Sequence, residues 1–380
     1  MKRRRNRSMR VSTKICIALF AFAGIFDLVA VTSRTFSDWF IDHIFPVFPG
    51  VYGRLTSLVP FSVGEWMVVL AIALLALFLV LILLLVFLHR RQGYRHFVLR
   101  YVRFLVWASC LVFLEMSMTC VVLYHATPLE EDLSGYGKTY DLEDLTNLRD
   151  ALVKKCNTMA AQMPRDADGT IITGSGRELQ EEARAAVQNL STEFPRLSGF
   201  QVRPKPMFFS WLMCQGYMQG YYFPFSMEAN YNDLMEVMNK PFTMCHEISH
   251  THGYLFEDEA NLLGYLACVE SDDPVFRYSG YLGILNYVNN DFYAAVSRDE
   301  YESHVAVSDL VWTDAEFVSS DTWDQVEEAS PLETETVHEA ADTSLDVTLK
   351  ANGVSSGKLS YTHVVGLLLM YYDGDLSAFE

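Results

Sequence analysis

The chain has 380 residues and a formal net charge of -18, and that charge is divided unevenly: 14 basic and 5 acidic residues up to position 125, then 15 basic and 42 acidic. A part with a balance of +9 is thus joined to one with a balance of -27, and so acidic a surface repels phosphates and excludes nucleic acid as a partner. The 7 cysteines form no C-x-x-C pair, which predicts reduced, buried thiols rather than a disulfide framework.

Three apolar runs, 15–31, 66–88 and 104–124, each come close to the roughly 20 residues that a membrane-crossing helix needs. The first is short and contains Asp27, so a cleaved signal peptide competes with a span there. Against it, the aromatic-rich continuation 36–59 has no obvious small-residue cleavage site. Lys2, Arg3, Arg4, Arg5, Arg7 and Arg10 precede the first run, and Arg90, Arg91, Arg95, Arg100 and Arg103 lie between the second and third. The bias of basic residues toward the cytoplasm then predicts a cytoplasmic N-terminus and an extracytoplasmic chain after Tyr124. The expected division is a membrane anchor over 1–125 and an outer domain over 126–380. Within the runs, Asp27 is expected near an interface, and Glu115 is expected to pair with Ser117 or Thr119.

Residues 127–137 read as a tether. A helix follows over 142–159, with Asp and Glu early and Lys154 and Lys155 late, as its dipole favours. A second amphipathic helix covers 178–190, and 195–206 connects. Residues 220–225 have strand composition, but Pro224 disfavours a central position, which predicts an edge strand. Asn230 or Asn232 is placed to cap the next helix, and Lys240-Pro241 to start the helix that carries residues 246–250, which Gly253 would end, with another helix from about Glu257. The acidic, hydroxyl-rich stretch 314–346 predicts a mobile loop or a solvated helical surface. The apolar stretch 364–372 is too short to span a membrane and predicts a core helix.

The chemistry concentrates in His246-Glu247-Ile248-Ser249-His250 and Glu257-Asp258-Glu259-Ala260-Asn261. On a helix, His246 and His250 project from one face a turn apart, so both imidazoles can grip one Zn²⁺, with Glu247 beside them as base. Glu257 and Asn261 share a face of the following helix, which predicts Glu257 as third ligand and Asn261 as support for a ligand histidine. Glu259 points roughly 200° away from Glu257 and is the alternative ligand. His252 faces elsewhere and reads as structural. Three ligands leave one position for a water whose proton Glu247 would take. Tyr278, with Tyr281 beside it, is the candidate oxyanion donor. Tyr222, Phe225 and Glu228, along with Asn230, are the candidates for holding an extended peptide against the edge strand.

These residues resemble the gluzincin type of zinc metallopeptidase, in which an HExxH helix is followed by a helix carrying a glutamate ligand in an E-x-x-A-[DN] pattern. More narrowly, the chain resembles a bacterial membrane family known as domain of unknown function 3810. The matching stretches are 60–65, 220–230, 246–261, Tyr278-Ser279-Gly280-Tyr281 and 349–372. The resemblance implies a membrane-anchored zinc peptidase without an established substrate.

The expected architecture is a membrane α-helical anchor of three transmembrane helices followed by an α+β, mainly helical, zincin-like extracytoplasmic domain with a small sheet. The expected activity is hydrolysis of peptide bonds outside the cytoplasm with one Zn²⁺ per chain. The bilayer and a peptide or protein substrate are its partners. A membrane sensor whose zinc domain detects an envelope ligand is the rival. A purely structural zinc domain is a third reading, against which the intact Glu247 weighs.

Overall fold

The computed structural model describes residues 11–351 and 363–379; the basic cluster 2–10 and part of the 349–372 stretch lie outside them. The first helices are α1 (Val11–Thr32), α2 (Arg34–His43), the short α3 (Arg54–Thr56), α4 (Val63–Leu88) and α5 (Gln92–Met116). Helices α1 and α4 and the stretch Gln92–His125 are long and apolar enough to cross a membrane. The third begins twelve residues before the predicted run, because helix geometry tolerates the arginines that hydropathy counts against it. It continues beyond α5 through a π-helical turn, Ser117–Val121.

Helix α5 lies between the other two. The Tyr94 hydroxyl donates to the Leu81 carbonyl at 2.7 Å and Tyr101 to Leu74 at 2.6 Å, tying α5 to α4. Cys110 Sγ reaches the Cys16 carbonyl of α1 at 3.6 Å. Such polar contacts between apolar helices matter because lipid tails offer no hydrophobic drive for helix association. The expected pairing of the Glu115 carboxylate with Ser117 or Thr119 is not formed among the described residues. Ser117 and Thr119 donate back to the carbonyls of Phe113 and Glu115, the local choice hydroxyls make in an apolar helix.

Helix α2 is amphipathic. It buries Phe40 and Ile41, which with Phe45 join Leu123, Met227 and Leu255 in one apolar cluster. The apolar helices and the rest of the chain therefore share a core. A 3-10 turn, Leu129–Asp132, leads away from it.

Beyond come α6 (Leu142–Gln162) and α7 (Gly176–Leu190). Both begin with a capping box, Asp141 with Asp144 and Ser175 with Glu178, in which side chains satisfy the free amides of the first turn. The sheet has three strands: β1 (Lys205–Pro206), β2 (Gly220–Phe223) and β3 (Glu228–Tyr231), with the short α8 (Ser210–Gln215) between β1 and β2. The order is β1-β3-β2, β3 running parallel to β1 and antiparallel to β2. Strand β2 is thus an edge, ending before Pro224.

Next are α9 (Lys240–Thr251), α10 (Glu257–Val269) and α11 (Pro274–Ala295), then α12 (Arg298–Ser303), α13 (Asp309–Asp314), α14 (Ser320–Ala329), α15 (Thr334–Ala351) and α16 (Val364–Tyr372). Helix α9 is buried from Pro241 to Thr251, among α7, α10, α11 and the sheet. Asn230 and Asn232 cap no helix, because the chain after them turns and reaches only the short 3-10 turn Val237–Asn239 before α9. Asn230 Nδ2 donates to the Tyr221 carbonyl at 3.1 Å, and Asn232 Oδ1 accepts from the Leu234 amide at 3.0 Å. The acidic 314–346 stretch is largely the helical surface of α14 and α15, pinned where Val326 meets Cys214 and Val318. Helix α16 buries Val364, Val365, Leu367 and Leu368 in the main core. All seven cysteines are free and buried.

A polar anchor ties the sheet to α4. The carboxylate of Glu228, on β3, accepts from the Val63 and Gly64 amides at 3.0 and 2.7 Å, from Ser226 Oγ and from Lys205 Nζ. It caps α4. In return Glu65, in the first turn of α4, accepts from the Phe208 and Phe209 amides at 2.9 Å each. Both carboxylates sit where a helix offers unpaired N–H groups and a positive dipole end.

Candidate metal centre

Helix α9 starts at Lys240-Pro241, where the proline's missing N–H costs nothing. The next amide, Phe242, donates to Ser279 Oγ of α11 at 3.0 Å. Gly283 faces the same junction, where an added Cβ would lie 2.7 Å from a Phe242 ring carbon, while Gly280 faces α10, where one would lie 2.7 Å from Cys268 Cβ. The Tyr278-Ser279-Gly280-Tyr281 stretch is therefore a packing surface, with Ser279 against α9 and Gly280 against α10. Tyr278 is correspondingly occupied away from the histidines. It is wholly buried and donates to Asp314 at 2.7 Å, while Arg165 binds that carboxylate. Tyr281 donates to the Ala378 carbonyl at 3.3 Å. The expectation that Tyr278 stabilises an oxyanion is corrected: its hydroxyl has a structural partner that sequence spacing did not reveal.

His246 and His250 meet with their Nε2 atoms 3.0 Å apart. Glu257 Oε2 is 3.2 Å from His246 Nε2 and 3.9 Å from His250 Nε2. Helix α10 can bring it there because Gly264 lies against α9; a Cβ at this position would be 3.0 Å from the His246 amide nitrogen. Ligand atoms about 2.1 Å from a tetrahedral ion lie about 3.4 Å from one another, and the three separations bracket that figure. The tautomer agrees. His250 Nδ1 is 2.7 Å from the Tyr254 carbonyl, so it carries the proton and donates, leaving the Nε2 lone pair facing inward. Burial, followed by the neighbouring His246, pushes the His250 pKa down to about 4. Three acceptor-capable atoms thus converge in a buried space where one shared proton cannot satisfy them all but a cation can.

Glu247 comes within 4.8 Å of both imidazoles. It is 4% exposed and its Oε2 has no hydrogen-bond partner among the described residues. Burial, with the charge of Glu257 added, raises its pKa well above the carboxylate range. His246 Nδ1 and Asn261 Nδ2 are likewise buried without a partner, so the support expected from Asn261 for a ligand histidine is not made. The Tyr287 phenol lies against Asn261 instead, its pKa pushed up to about 12 by burial and then by Glu257.

The other predicted residues are distributed as follows. Glu259 turns away from the imidazoles and accepts the Leu129 amide at 2.6 Å, burial raising its pKa to about 8. His252 is held between the Arg196 carbonyl and Gln201 Oε1. Tyr222 packs its ring 5.9 Å from that of His250 and donates to Met227 Sδ at 3.4 Å. Phe225 packs on Phe223, with ring centroids 5.6 Å apart. Glu228 is corrected from substrate reader to helix cap, since its oxygens are already taken by α4, Ser226 and Lys205.

Three residues at the site went unread in the sequence. Gly220 lets β2 pass directly over Glu247: an added Cβ would collide with Oε1 and lie 2.7 Å from Cγ and Cδ. Tyr221, next along the strand, is exposed yet within electrostatic reach of Glu247. Tyr124, at the end of the third apolar stretch, is within electrostatic reach of Glu257. Only the tight Gly-Tyr-Tyr composition hinted at the first two.

A family model described as protein of unknown function (DUF3810) matches residues 40–369. No curated protein and no solved structure matches the chain.

Proposed function

As the chain belongs to the DUF3810 family of proteins of unknown function, its activity has to come from the site itself, and we propose a membrane-anchored, zinc-dependent peptidase acting outside the cytoplasm. The observation that carries this reading is the convergence of His246, His250 and Glu257 within 3.9 Å beside Glu247, whose Oε2 has no partner among the described residues. A zinc ion held by those three side chains would supply Lewis-acid chemistry, acidifying a water and polarising the scissile carbonyl.

The chain's own residues do the rest. Glu247 takes a proton from the attacking water and returns it to the departing amine as the carbon–nitrogen bond breaks. Its burial suits that role, because a carboxylate with a raised pKa holds a proton more readily between the two steps. Tyr254 fixes the His250 ring through its carbonyl. The free edge of β2 offers backbone groups to an extended substrate. The outward placement rests on the arginines at the α4–α5 turn.

Metal content tests the ligand set. Full-length protein purified in detergent is expected to hold about one zinc per chain, the stoichiometry of a single tetrahedral site. His246→Ala and Glu257→Ala should lose it, and Glu259→Ala should keep it. Loss in Glu259→Ala alone would overturn the assignment.

A second expectation concerns β2. Gly220→Ala forces a methyl group into Glu247, so peptide turnover should fall about tenfold or more while zinc content stays unchanged, since a small misplacement of a reacting group is costly. Unchanged turnover would mean that β2 does not position the base.

A further inference from the structure

Resting on the peptidase reading, we propose that the substrates are membrane proteins, cut in the extended segment that leads into a membrane-crossing helix. Four observations place the site at the ends of the apolar helices rather than out on the acidic domain.

The first is the end of α9. Gly253, three residues after His250, has φ +96°, and a Cβ there would lie 3.2 Å from Ile41, 3.6 Å from Phe45 and 3.7 Å from Leu123. The metal-binding helix therefore stops against α2 and the end of the third apolar stretch. The second is Tyr124, whose ring stands edge-on to Phe256 at 5.5 Å, one residue before Glu257. Cys120, a turn earlier, is within electrostatic reach of Tyr221 and Tyr222. Third ligand and third span end are neighbours.

The third observation is the course of β2. Gly220 lies over Glu247, and three residues on, the Phe223 ring packs on Gly64 in the first turn of α4; an added Cβ at Gly64 would lie 3.0 Å from Phe223 Cβ. Among the described residues no strand pairs with the other edge of β2. A chain added there runs about 10 Å, the length of those strand residues, from the base to the end of a membrane helix. The fourth is the surrounding surface. Trp39, Tyr52, Phe61, Trp66 and Phe208 are exposed, Phe208 by 71%, and the Trp66 and Phe208 rings lie 6.3 Å apart. Aromatic side chains in that number around span ends mark the headgroup level of a bilayer.

A freely diffusing peptide must find a site set among these surfaces. A segment that continues into a membrane helix is already confined to its plane, which raises its effective concentration there.

The test uses the full chain in cell membranes. Wild type and Glu247→Gln are brought to equal abundance, zinc content is measured to show that the variant is folded, and newly formed protein N-termini are labelled and sequenced. Termini at least about tenfold enriched with wild type, the gain expected from confinement, should lie within a short extended reach of a membrane-crossing segment. Glu247-dependent termini found instead in soluble proteins, or in lipid-anchored proteins without a span, would overturn this inference and leave the peptidase reading standing. No Glu247-dependent termini at all would overturn the peptidase reading and this inference with it. In vesicles, a cleaved sequence placed beside a span should be cut about tenfold faster than the same sequence as a free peptide; equal rates would overturn the inference alone.

Discussion

Glu247→Gln is expected to lower turnover of any cleaved peptide by a factor on the order of 10² to 10⁴, the range that a positioned general base supplies, while leaving the zinc content intact. The amide is nearly isosteric with the carboxylate, so it fits beneath Gly220 without displacing β2. It has no basic oxygen to take a proton, and it removes a buried acid that the neighbouring Glu257 opposes. The fold should therefore hold or gain stability as activity falls. That pairing separates a catalytic role from a structural one, since a structural carboxylate would lose stability on the same change. A peptide library digested by both proteins is the measurement. Equal inactivity of wild type and variant across broad conditions would sink the enzyme reading and favour a metal-binding membrane sensor.

Glu228→Ala should have the largest effect on stability, about 3–5 kcal/mol, as when one member of a buried ion pair is removed. The loss strands Lys205, which is 1% exposed and would keep only the carbonyls of Thr56 and Phe61 at 2.6 and 3.1 Å. It also strands the Val63 and Gly64 amides at the start of α4. Burial pushes the Lys205 ammonium down from the usual lysine range, against the partly offsetting pull of Glu228. Replacing both residues, as Lys205→Met with Glu228→Gln, should therefore cost less than Glu228→Ala alone. Unfolding in a denaturing detergent titration, followed by tryptophan fluorescence, reads both. A cost under about 1 kcal/mol, the worth of an exposed pair, would show that the sheet does not hold the membrane helix.

Local spacing carried what is local. The four-residue interval between His246 and His250 and that between Glu257 and Asn261 made two helix faces legible, and the fold then brought the His246, His250 and Glu257 side chains together. Pro224 marked the edge strand, and the three apolar runs marked the long helices. What escaped was each role set by a partner far along the chain. Tyr278 answers to Asp314, 36 residues on, and Glu228 to Gly64, 164 residues back. No periodicity encodes such pairs, and a tyrosine or glutamate near a metal motif looks equally apt for chemistry or for structure. Helix α9 was legible by its motif rather than its pattern, because a helix buried on all sides has no polar face to alternate with.

The contact of Gly253 with Ile41, Phe45 and Leu123 has a bearing on where the protein can work. A protease that nicked the chain anywhere between Tyr124 and Leu142 would not release an intact candidate site. The fragment would carry away His250 and Glu257 but expose Met227 and Leu255, and it would leave α4, and with it the amides that Glu228 accepts from, in the bilayer. On the proposed reading, membrane residence would thus be built into the site rather than added by a leash.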